Sequence, residues 1–402
     1  MWELIQSNKR KSTALIIIMG VVLVLLGYII GSAYSPKGGG VFGIFIAIMI
    51  WGILYMVTYS SGSKILLAVS GAKEVTKEVH PQLYNIVEEM KIASGNPHMP
   101  KIYIIDSAAP NAFATGLKPD NTAIAVTAGL LGRLNRDELQ GVIAHEMSHI
   151  VNRDIQFMTV SGIMLGVIVL VSQVFIRSLW FGGGGRYSKS SRDSGQAQLI
   201  FLAIAIIFAI LAPIAAQLLY FAISRKREYL ADASGVRLTR YPEGLASALE
   251  KISRSTEELK TANKVTAPMY IANPLKKKGA RLQDLTSTHP PISERIRILR
   301  SIANTADFNG YQQAFNKVKG KETHIIPNSE LKKSAPINIR EAMGIPVAGL
   351  TKKQSQRNVG DLIMKLNDYS FVNCPCGVKI KIPPDFKKKV VHCPRCGREH
   401  KL

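Results

Sequence analysis

The stretch His145-Glu146-Met147-Ser148-His149 holds the residues of this chain that are best suited to do chemistry. On an α-helix, residues i and i+4 lie on one face, so His145 and His149 can direct two imidazoles at one metal ion. Glu146 lies beside the first histidine and can reach a water on that metal. Two nitrogen ligands, an open coordination position and an adjacent carboxylate are the parts of a zinc hydrolase.

The residues around this motif have the signals of a buried helix. Asn135 is a suitable N-cap, and Glu138 follows three residues later, as in a capping box. Apolar residues recur along the segment at helical spacing, at Leu139, Val142, Ile143 and Met147. We therefore predict a helix from Asp137 to about Val151. An ordinary amphipathic helix that carries two histidines by chance is the alternative.

A catalytic zinc usually has three protein ligands, so the motif needs one more. Glu228 is the best candidate, because it lies on a helix that we expect to continue out of an apolar segment. Asp232 follows on the same helical face, where its carboxylate could accept the free N–H of a zinc-bound imidazole. The alternative is a solvated helix face on which both carboxylates pair with the neighbouring residues Arg225, Lys226 and Arg227.

All four cysteines lie near the end of the chain, at Cys374, Cys376, Cys393 and Cys396. The spacing C-x-C followed by C-P-x-C-G predicts a closed tetrahedral zinc site in a zinc-ribbon-like module. His392 and His400 are spare ligands. So short a module could bury little core without a metal. A disulfide pair or a redox dithiol is the alternative.

Four blocks that are almost free of charge are each long enough to span a bilayer, which takes about 20 apolar residues. They run approximately over Thr13–Tyr34, Val41–Tyr59, Met158–Trp180 and Gln198–Ile223. The first block is too long for a cleaved signal peptide and lacks a clear cleavage pattern. A buried core helix is the alternative for each block, and it is weakest for the first two.

The chain of 402 residues has a formal net charge of +23. Such a charge indicates either nucleic-acid binding or a basic face against anionic lipid, and four predicted spans favour lipid. Lys9, Arg10 and Lys11 precede the first span, which predicts a cytoplasmic N-terminus. An even number of spans returns both soluble segments and the C-terminus to that side. The end of the third block and the loop after it resist this assignment, since they carry Arg177, Arg186, Lys189 and Arg192.

The predicted fold class is α+β and mainly helical, with four transmembrane helices, a cytoplasmic metallopeptidase domain and a small zinc ribbon. Strand patterns at Lys101–Asp106 and Asn121–Val126 follow a helical pattern at Gln82–Ala93. The predicted order is a membrane hairpin (1–62), the first part of the peptidase (63–157), a second membrane hairpin (158–223), the second part with the third zinc ligand (224–302), a linker (303–370) and the ribbon module (371–402). We expect the polar linker to be loosely structured, with one or two short helices.

Four motifs together give the chain a resemblance to a known family. They are Asn111–Gly116, His145–His149 with Asn152–Asp154, Arg227–Asp232, and Thr288–Pro291 with Glu294–Ile296. Over about residues 10–300 the chain resembles the HtpX-type integral-membrane zinc metalloproteases, relatives of the CAAX prenyl endopeptidase. The resemblance implies a gluzincin-like domain facing the cytoplasm, with zinc held by His145, His149 and Glu228, Glu146 as general base, and Asp232 as partner of a zinc-bound histidine.

Peptide hydrolysis would require two further parts. The developing oxyanion needs a partner besides zinc, and His289 is the candidate, although a buried structural histidine is an equal alternative. Asn111, Ala112, Phe113 and Ala114 would form an edge strand on which an extended substrate pairs through its backbone. The alternative for this stretch is a loop that connects two strands.

These observations predict a zinc metalloendopeptidase of the cell membrane, with one catalytic and one structural zinc ion. The expected substrates are misfolded or damaged membrane proteins and other unfolded polypeptides, cut at the cytoplasmic face beside the bilayer. One alternative is a processing protease for a specific or lipidated substrate. The prediction of four spans, rather than a larger helical chamber, argues against it. Another is a membrane-anchored protein whose ribbon docks nucleic acid or a ribosome. Nucleic acid is not the expected partner, because Phe371 and Phe386 are the only aromatic residues of the ribbon module on which bases could stack.

Overall fold

The structure is a computed structural model that describes residues 2–35, 38–181, 192–262, 267–274, 289–343, 352–387 and 389–401. Its elements, in chain order, are α1 (Trp2–Tyr34), α2 (Gly39–Val69), β1 (Ala72–Glu74), α3 (Pro81–Ser94), β2 (Lys101–Ile105), β3 (Ala112–Lys118), β4 (Asn121–Thr127), α4 (Ala128–Leu131), α5 (Arg136–Val151), α6 (Asp154–Phe181), α7 (Arg192–Thr239), α8 (Pro242–Ser253), a 3₁₀ helix (Ala267–Met269), α9 (Ile292–Arg300), α10 (Phe308–Lys319), α11 (Asn328–Lys333), α12 (Lys352–Leu366), β5 (Ser370–Asn373), β6 (Lys379–Ile382), β7 (Val390–His392) and β8 (Glu399–Lys401). The predicted mainly helical α+β class is confirmed.

Two long apolar helices, α1 and α2, open the chain and pack against each other. Their closest approach is at glycines: a Cβ added to Gly43 would lie 2.0 Å from the carbonyl oxygen of Gly27. Small residues let helix backbones approach closely in a membrane. Large apolar side chains on both helices point outward, as lipid-facing residues would, including Ile17, Val41, Phe45 and Met56.

Three helical stretches among the described residues are long and apolar enough to cross a membrane, namely Thr13–Tyr34, Gly39–Val57 and Met158–Leu179. They correspond to the first three predicted blocks. The fourth block lies in α7, where the apolar stretch Leu202–Leu218 is shorter. The predicted block also includes residues whose side chains lie outside the description, so the count of four spans stays a prediction. α7 runs through Pro213 without interruption for 48 residues, so the helix that holds this block also holds Glu228.

A four-stranded sheet with the order β1-β2-β4-β3 supports the segment predicted to be a peptidase, whose buried residues are called the peptidase core below. β2 and β4 are parallel, and the two outer strands pair antiparallel to them. Side chains alternate between the two faces, as strand geometry requires. Ile104 and Val126 lie on the face packed against α3 and α5, whereas Phe113 and Ala125 lie on the face packed against Tyr270. The predicted strands at 101–106 and 121–126 are confirmed, and β3 is an edge strand.

Helix α5 lies inside the peptidase core, between the sheet, α3, α7 and α8. Its start is the predicted capping box: the Asn135 side chain accepts from the Glu138 N–H at 2.9 Å, and the Glu138 carboxylate accepts from the Asn135 N–H at 2.8 Å. Residues 137–150 are all buried. The helix predicted for the H-E-x-x-H motif is therefore confirmed, within one residue at its start.

The expectation of a loosely structured linker over 303–370 is not what the structure has. This segment contains α10, α11 and α12, and Phe308, Tyr311 and Phe315 of α10 are buried in the same core as α5. The three residues recur at helical spacing, so a mostly polar helix still buries one apolar face. Part of the segment is thus built into the peptidase core.

The last described residues form two small hairpins, β5–β6 and β7–β8, around the four cysteines. Lys379 and Lys381 of β6 contact Asp361 of α12 at 2.7 and 2.8 Å. Lys365 of α12 donates in turn to the backbone oxygens of Glu78 and Val79. Helix α12 therefore connects the cysteine module to the peptidase core.

Candidate metal centre

Three side chains from two helices that are distant in sequence converge inside the core. His145 and His149 come from consecutive turns of α5, and Glu228 comes from α7. Their ligand atoms all lie within 4.8 Å of one another. Nε2 of His145 is 3.6 Å from Oε2 of Glu228, and Nε2 of His149 is 3.5 Å from Oε1. Tetrahedral zinc with bonds of about 2.0–2.2 Å places ligand atoms roughly 3.3–3.6 Å apart, so these separations fit this ion.

Each histidine has a carboxylate at its other ring nitrogen. Nδ1 of His145 is 2.9 Å from Oδ1 of Asp232, and Nδ1 of His149 is 3.3 Å from Oδ2 of Asp154. A proton held between Nδ1 and a carboxylate leaves Nε2 as the lone-pair nitrogen that a metal requires. Nε2 of His145 is buried and has no hydrogen-bond partner among the described residues. Both histidines are thus oriented toward the space beside Glu228.

Two buried arginines contact the carboxylates that face the histidines. Arg295 of α9 forms two hydrogen bonds with Asp232, from Nε at 2.8 Å and from Nη2 at 2.7 Å. Nε of Arg227 lies 3.8 Å from Asp154. With the two imidazoles neutral, as metal ligands must be, the four buried carboxylates Glu146, Asp154, Glu228 and Asp232 outnumber the two guanidinium groups. This leaves two negative charges in excess, which a divalent cation would neutralise. Buried charges need partners or a metal, so the charge balance also fits zinc.

Glu228 is held as a carboxylate. Burial raises its pKa, but the neighbouring imidazoles of His289, His145 and His149 lower it more, so the pKa lies well below the usual carboxyl range. Nδ1 of His289 is 3.0 Å from Oε2 of Glu228. The buried His289 therefore lies beside the centre, where it could act on a substrate oxygen or orient Glu228.

Glu146 lies near both histidines and contacts the sheet. Burial raises the pKa of this carboxyl above its usual range, and the nearby His145 and His149 offset part of the rise. Glu146 accepts a hydrogen bond from the backbone of Ala114 in β3. A carboxyl with a raised pKa is suited to accept and later return a proton. The arrangement places that carboxyl at the edge strand.

The edge strand β3 runs past α5. The Thr127 N–H donates to the Asn111 carbonyl at 3.0 Å, so the backbone groups of Ala112 and Ala114 face away from β4. Part of that free edge is used by the chain itself, because the Ile271 N–H donates to the Ala112 carbonyl at 2.9 Å. The Asn111 side chain donates to the Ala272 carbonyl at 2.9 Å. Asn111, Ala112, Phe113 and Ala114 thus lie in and just before a strand whose outer edge reaches Glu146.

The four cysteines form a second cluster that could hold a metal. Sγ of Cys374 is 3.5 Å from that of Cys396, and Sγ of Cys376 is 3.5 Å from that of Cys393. A disulfide requires about 2.05 Å, whereas zinc with Zn–S bonds of about 2.3 Å places its sulfurs roughly 3.8 Å apart. None of the four is in a disulfide. The spacing of the thiols therefore fits a metal better than a disulfide.

Sequence reasoning gave no role at the metal centre to Asp154, Arg227 or Arg295, although each lies in a motif quoted above. The signal for Arg295 was available, because Ile298 and Leu299 place it on the buried face of α9. A charged residue on an apolar face indicates a buried partner. The identity of that partner, Asp232, could not be read from the sequence because the two residues are 63 positions apart.

Comparison with known proteins gives a consistent result. The profile of peptidase family M48 matches residues 77–303. A protease HtpX homolog of Dictyoglomus thermophilum is 46% identical over 299 residues, which are 74% of this chain and 94% of the relative. A protease HtpX homolog of Streptococcus gordonii is 42% identical over 305 residues, which are 75% of this chain and 100% of the relative. The crystal structure of S. mikatae Ste24p matches 74% of this chain and 67% of its own with 21% identity and a TM-score of 0.39.

Proposed function

The chain belongs to peptidase family M48 and is a membrane-bound metalloprotease, and from this premise we propose that it is an endopeptidase for misfolded or damaged membrane proteins. The observation that carries the proposal is the convergence of His145, His149 and Glu228, with Glu146 between them and an edge strand. The three residues would hold a zinc ion. When bound, zinc polarises the peptide carbonyl and makes water a nucleophile near neutral pH.

The side chains divide the remaining work. Glu146 accepts the proton of the attacking water and returns it to the leaving amine. Asp232 and Asp154 hold the two histidines with Nε2 toward the metal. His289 lies beside Glu228, where an N–H could stabilise the developing oxyanion. Outward-facing backbone groups of β3 that are not bonded to Ile271 or Glu146 would align an extended peptide by hydrogen bonds that do not depend on its side chains. Such pairing suits a protease with varied unfolded substrates.

The setting of the site supports a membrane substrate. Glu228 lies ten residues beyond the apolar stretch Leu202–Leu218 on the same helix, about 15 Å along its axis. The site is therefore close to one face of the bilayer. We propose that this face is the cytoplasmic one, since Lys9, Arg10 and Lys11 precede the first span and a fourth span in α7 would return the chain to the same side. The bilayer and unfolded polypeptides are the proposed partners.

The test is cleavage by purified Glu146→Gln protein in detergent. Parent enzyme should cut a panel of unfolded polypeptides at many positions and leave a folded soluble protein intact. Glu146→Gln should lose at least about 1,000-fold in rate while it still binds zinc, because only the proton acceptor is removed. Glu88→Gln, a change at an exposed residue of α3, should cleave like the parent. Full activity of Glu146→Gln would refute the mechanism, and single-site cutting would favour a processing protease.

A further inference from the structure

One guanidinium group connects the candidate metal centre to the edge strand. Arg295 is fully buried and, besides its two bonds to Asp232, Nη1 donates to the Ile271 carbonyl at 3.0 Å. Nη1 also lies 3.3 Å from Oε2 of Glu228. Arg295 thus contacts Glu228, which is a metal-ligand candidate, and Asp232, which orients His145. It also contacts the backbone of a third segment.

The third segment, which contains Ile271, is hydrogen-bonded to the edge strand β3. Ile271 donates to the Ala112 carbonyl through its N–H and accepts from Arg295 through its carbonyl. Tyr270 is buried against Phe113 of β3, with ring centroids 5.0 Å apart in an edge-to-face arrangement. A continuous set of hydrogen bonds therefore runs from β3 through Ile271, Arg295 and Asp232 to His145.

We propose that Arg295 is a positioning residue that fixes the orientation of His145 and the position of the edge strand together. It does not touch substrate in this proposal, which rests on the proposed metalloprotease function. The planar guanidinium is suited to this role, because it offers parallel donors to a carboxylate and still has a donor for a carbonyl. Lysine could supply the charge but not the fork. The fork holds the Asp232 oxygen that faces Nδ1 of His145, and so sets which nitrogen of His145 faces the metal.

The first test measures metal affinity and does not depend on catalysis. Full-length Glu146→Gln protein is titrated with Co²⁺, whose absorption distinguishes a nitrogen–oxygen site from a thiolate site. Arg295→Gln should weaken Co²⁺ binding at the nitrogen–oxygen site by about 10- to 100-fold, the range typical of lost partners to metal-bound histidines. The exposed Arg297 on the same helix is the matched control, and Arg297→Gln should change the affinity less than about twofold. Equal affinity of the two variants would overturn the proposal.

A double-mutant cycle tests whether Arg295 acts through Asp232. In an Asp232→Asn background, Arg295→Gln should cost only about threefold or less in Co²⁺ affinity, because the carboxylate that it positions is gone. If the double variant lost Co²⁺ affinity by the product of the two single losses, Arg295 would not act through Asp232. If Arg295→Gln does not fold, Arg295→Lys replaces it, and its affinity should lie at least about threefold below that of the parent. Parent-like affinity of the lysine variant would contradict the need for a fork.

A separate measurement tests whether Arg295 fixes the position of the edge strand β3. Hydrogen exchange of metal-free protein should be faster in peptides covering 112–118 and 267–274 of the Arg295 variant than of the Arg297 variant, since Ile271 loses the donor to its carbonyl. Unchanged exchange there would remove the link to the strand. A parent protein without peptidase activity would refute the proposed function yet leave all three measurements valid.

Discussion

At the scale of single residues, the two histidines of α5 are held unequally. Asp232 lies 2.9 Å from His145 and is itself fixed by the fork of Arg295, whereas Asp154 lies 3.3 Å from His149 with Arg227 at 3.8 Å. A shorter bond to a better-fixed carboxylate leaves an imidazole less freedom to rotate. His145 is therefore the more rigidly placed of the two.

This difference gives a prediction for Asp154. Asp154→Asn should weaken metal binding by roughly tenfold, because an amide orients His149 less firmly than a carboxylate. Asp232→Asn should weaken it more. The measurement is chelator competition on purified protein, with Asp120→Asn as the control, since Asp120 is exposed in the turn between β3 and β4. A larger loss for Asp154→Asn than for Asp232→Asn would contradict the ranking.

At the scale of elements, the crossing of α1 and α2 depends on glycine. Gly43→Ala should destabilise the membrane hairpin, because the added Cβ would lie 2.0 Å from the Gly27 carbonyl oxygen and the helices would have to separate. Gly52 of the same helix has nothing within 4 Å of an added Cβ. Gly52→Ala should therefore be neutral or stabilising by up to about 1 kcal/mol, since alanine favours a helix. The thermal unfolding temperature in detergent should fall for Gly43→Ala and should stay the same or rise for Gly52→Ala.

The cysteine module is the second element that permits a direct test. Purified protein should contain two zinc equivalents, and Cys393→Ser with Cys396→Ser should reduce them to one, because two thiolates cannot close a tetrahedral site. His392→Ser should retain two equivalents, since His392 is exposed and the four thiols lie together without it. Elemental analysis measures the metal. Two equivalents in the double cysteine variant would indicate that His392 or His400 replaces a thiolate.

At the scale of the whole molecule, the segment beyond the family match is joined to the metal centre. Arg340 lies outside residues 77–303, yet its Nη2 contacts Asp137 at 2.9 Å and Gln140 at 2.7 Å in the first turns of α5. Its Nε donates to the Thr239 carbonyl at the end of α7, at 2.9 Å. One residue of the extension thus contacts both helices that carry the metal-ligand candidates.

Arg340→Ala should accordingly lower the free energy of unfolding by about 1–3 kcal/mol, because several hydrogen bonds with charged groups are lost at once. The expected observation is a lower unfolding temperature in detergent, with reduced metal retention on heating. Lys332→Ala, at an exposed position of α11, should unfold like the parent. An unchanged unfolding temperature for Arg340→Ala would mean that the extension adds no stability to the core.

The features that could be predicted from the sequence depend on residues close together in the chain, whereas contacts between distant residues could not be predicted. Helix α5 and its capping box follow from local spacing. Glu228 and Asp232 were candidates because zinc needs a third ligand, and the family motifs implied the same roles. The contacts of Arg295 and Arg340 were not predictable, because their partners are set by packing between distant segments. The core contribution of α10 was missed for a different reason. Its apolar residues Phe308, Tyr311 and Phe315 have helical spacing, but they lie in a polar stretch whose overall composition is typical of a linker.

The unbroken length of α7 has a mechanical consequence. Because Glu228 lies about 15 Å past Leu218 on one continuous helix, a tilt of roughly 4° in the apolar half of α7 would move its carboxylate by about 1 Å. Displacements of that size are enough to slow an enzyme about a hundredfold. With this apolar half as the proposed fourth span, bilayer thickness, which influences helix tilt, would affect the geometry of the metal centre. The same enzyme reconstituted in thin and thick bilayers should turn over at different rates.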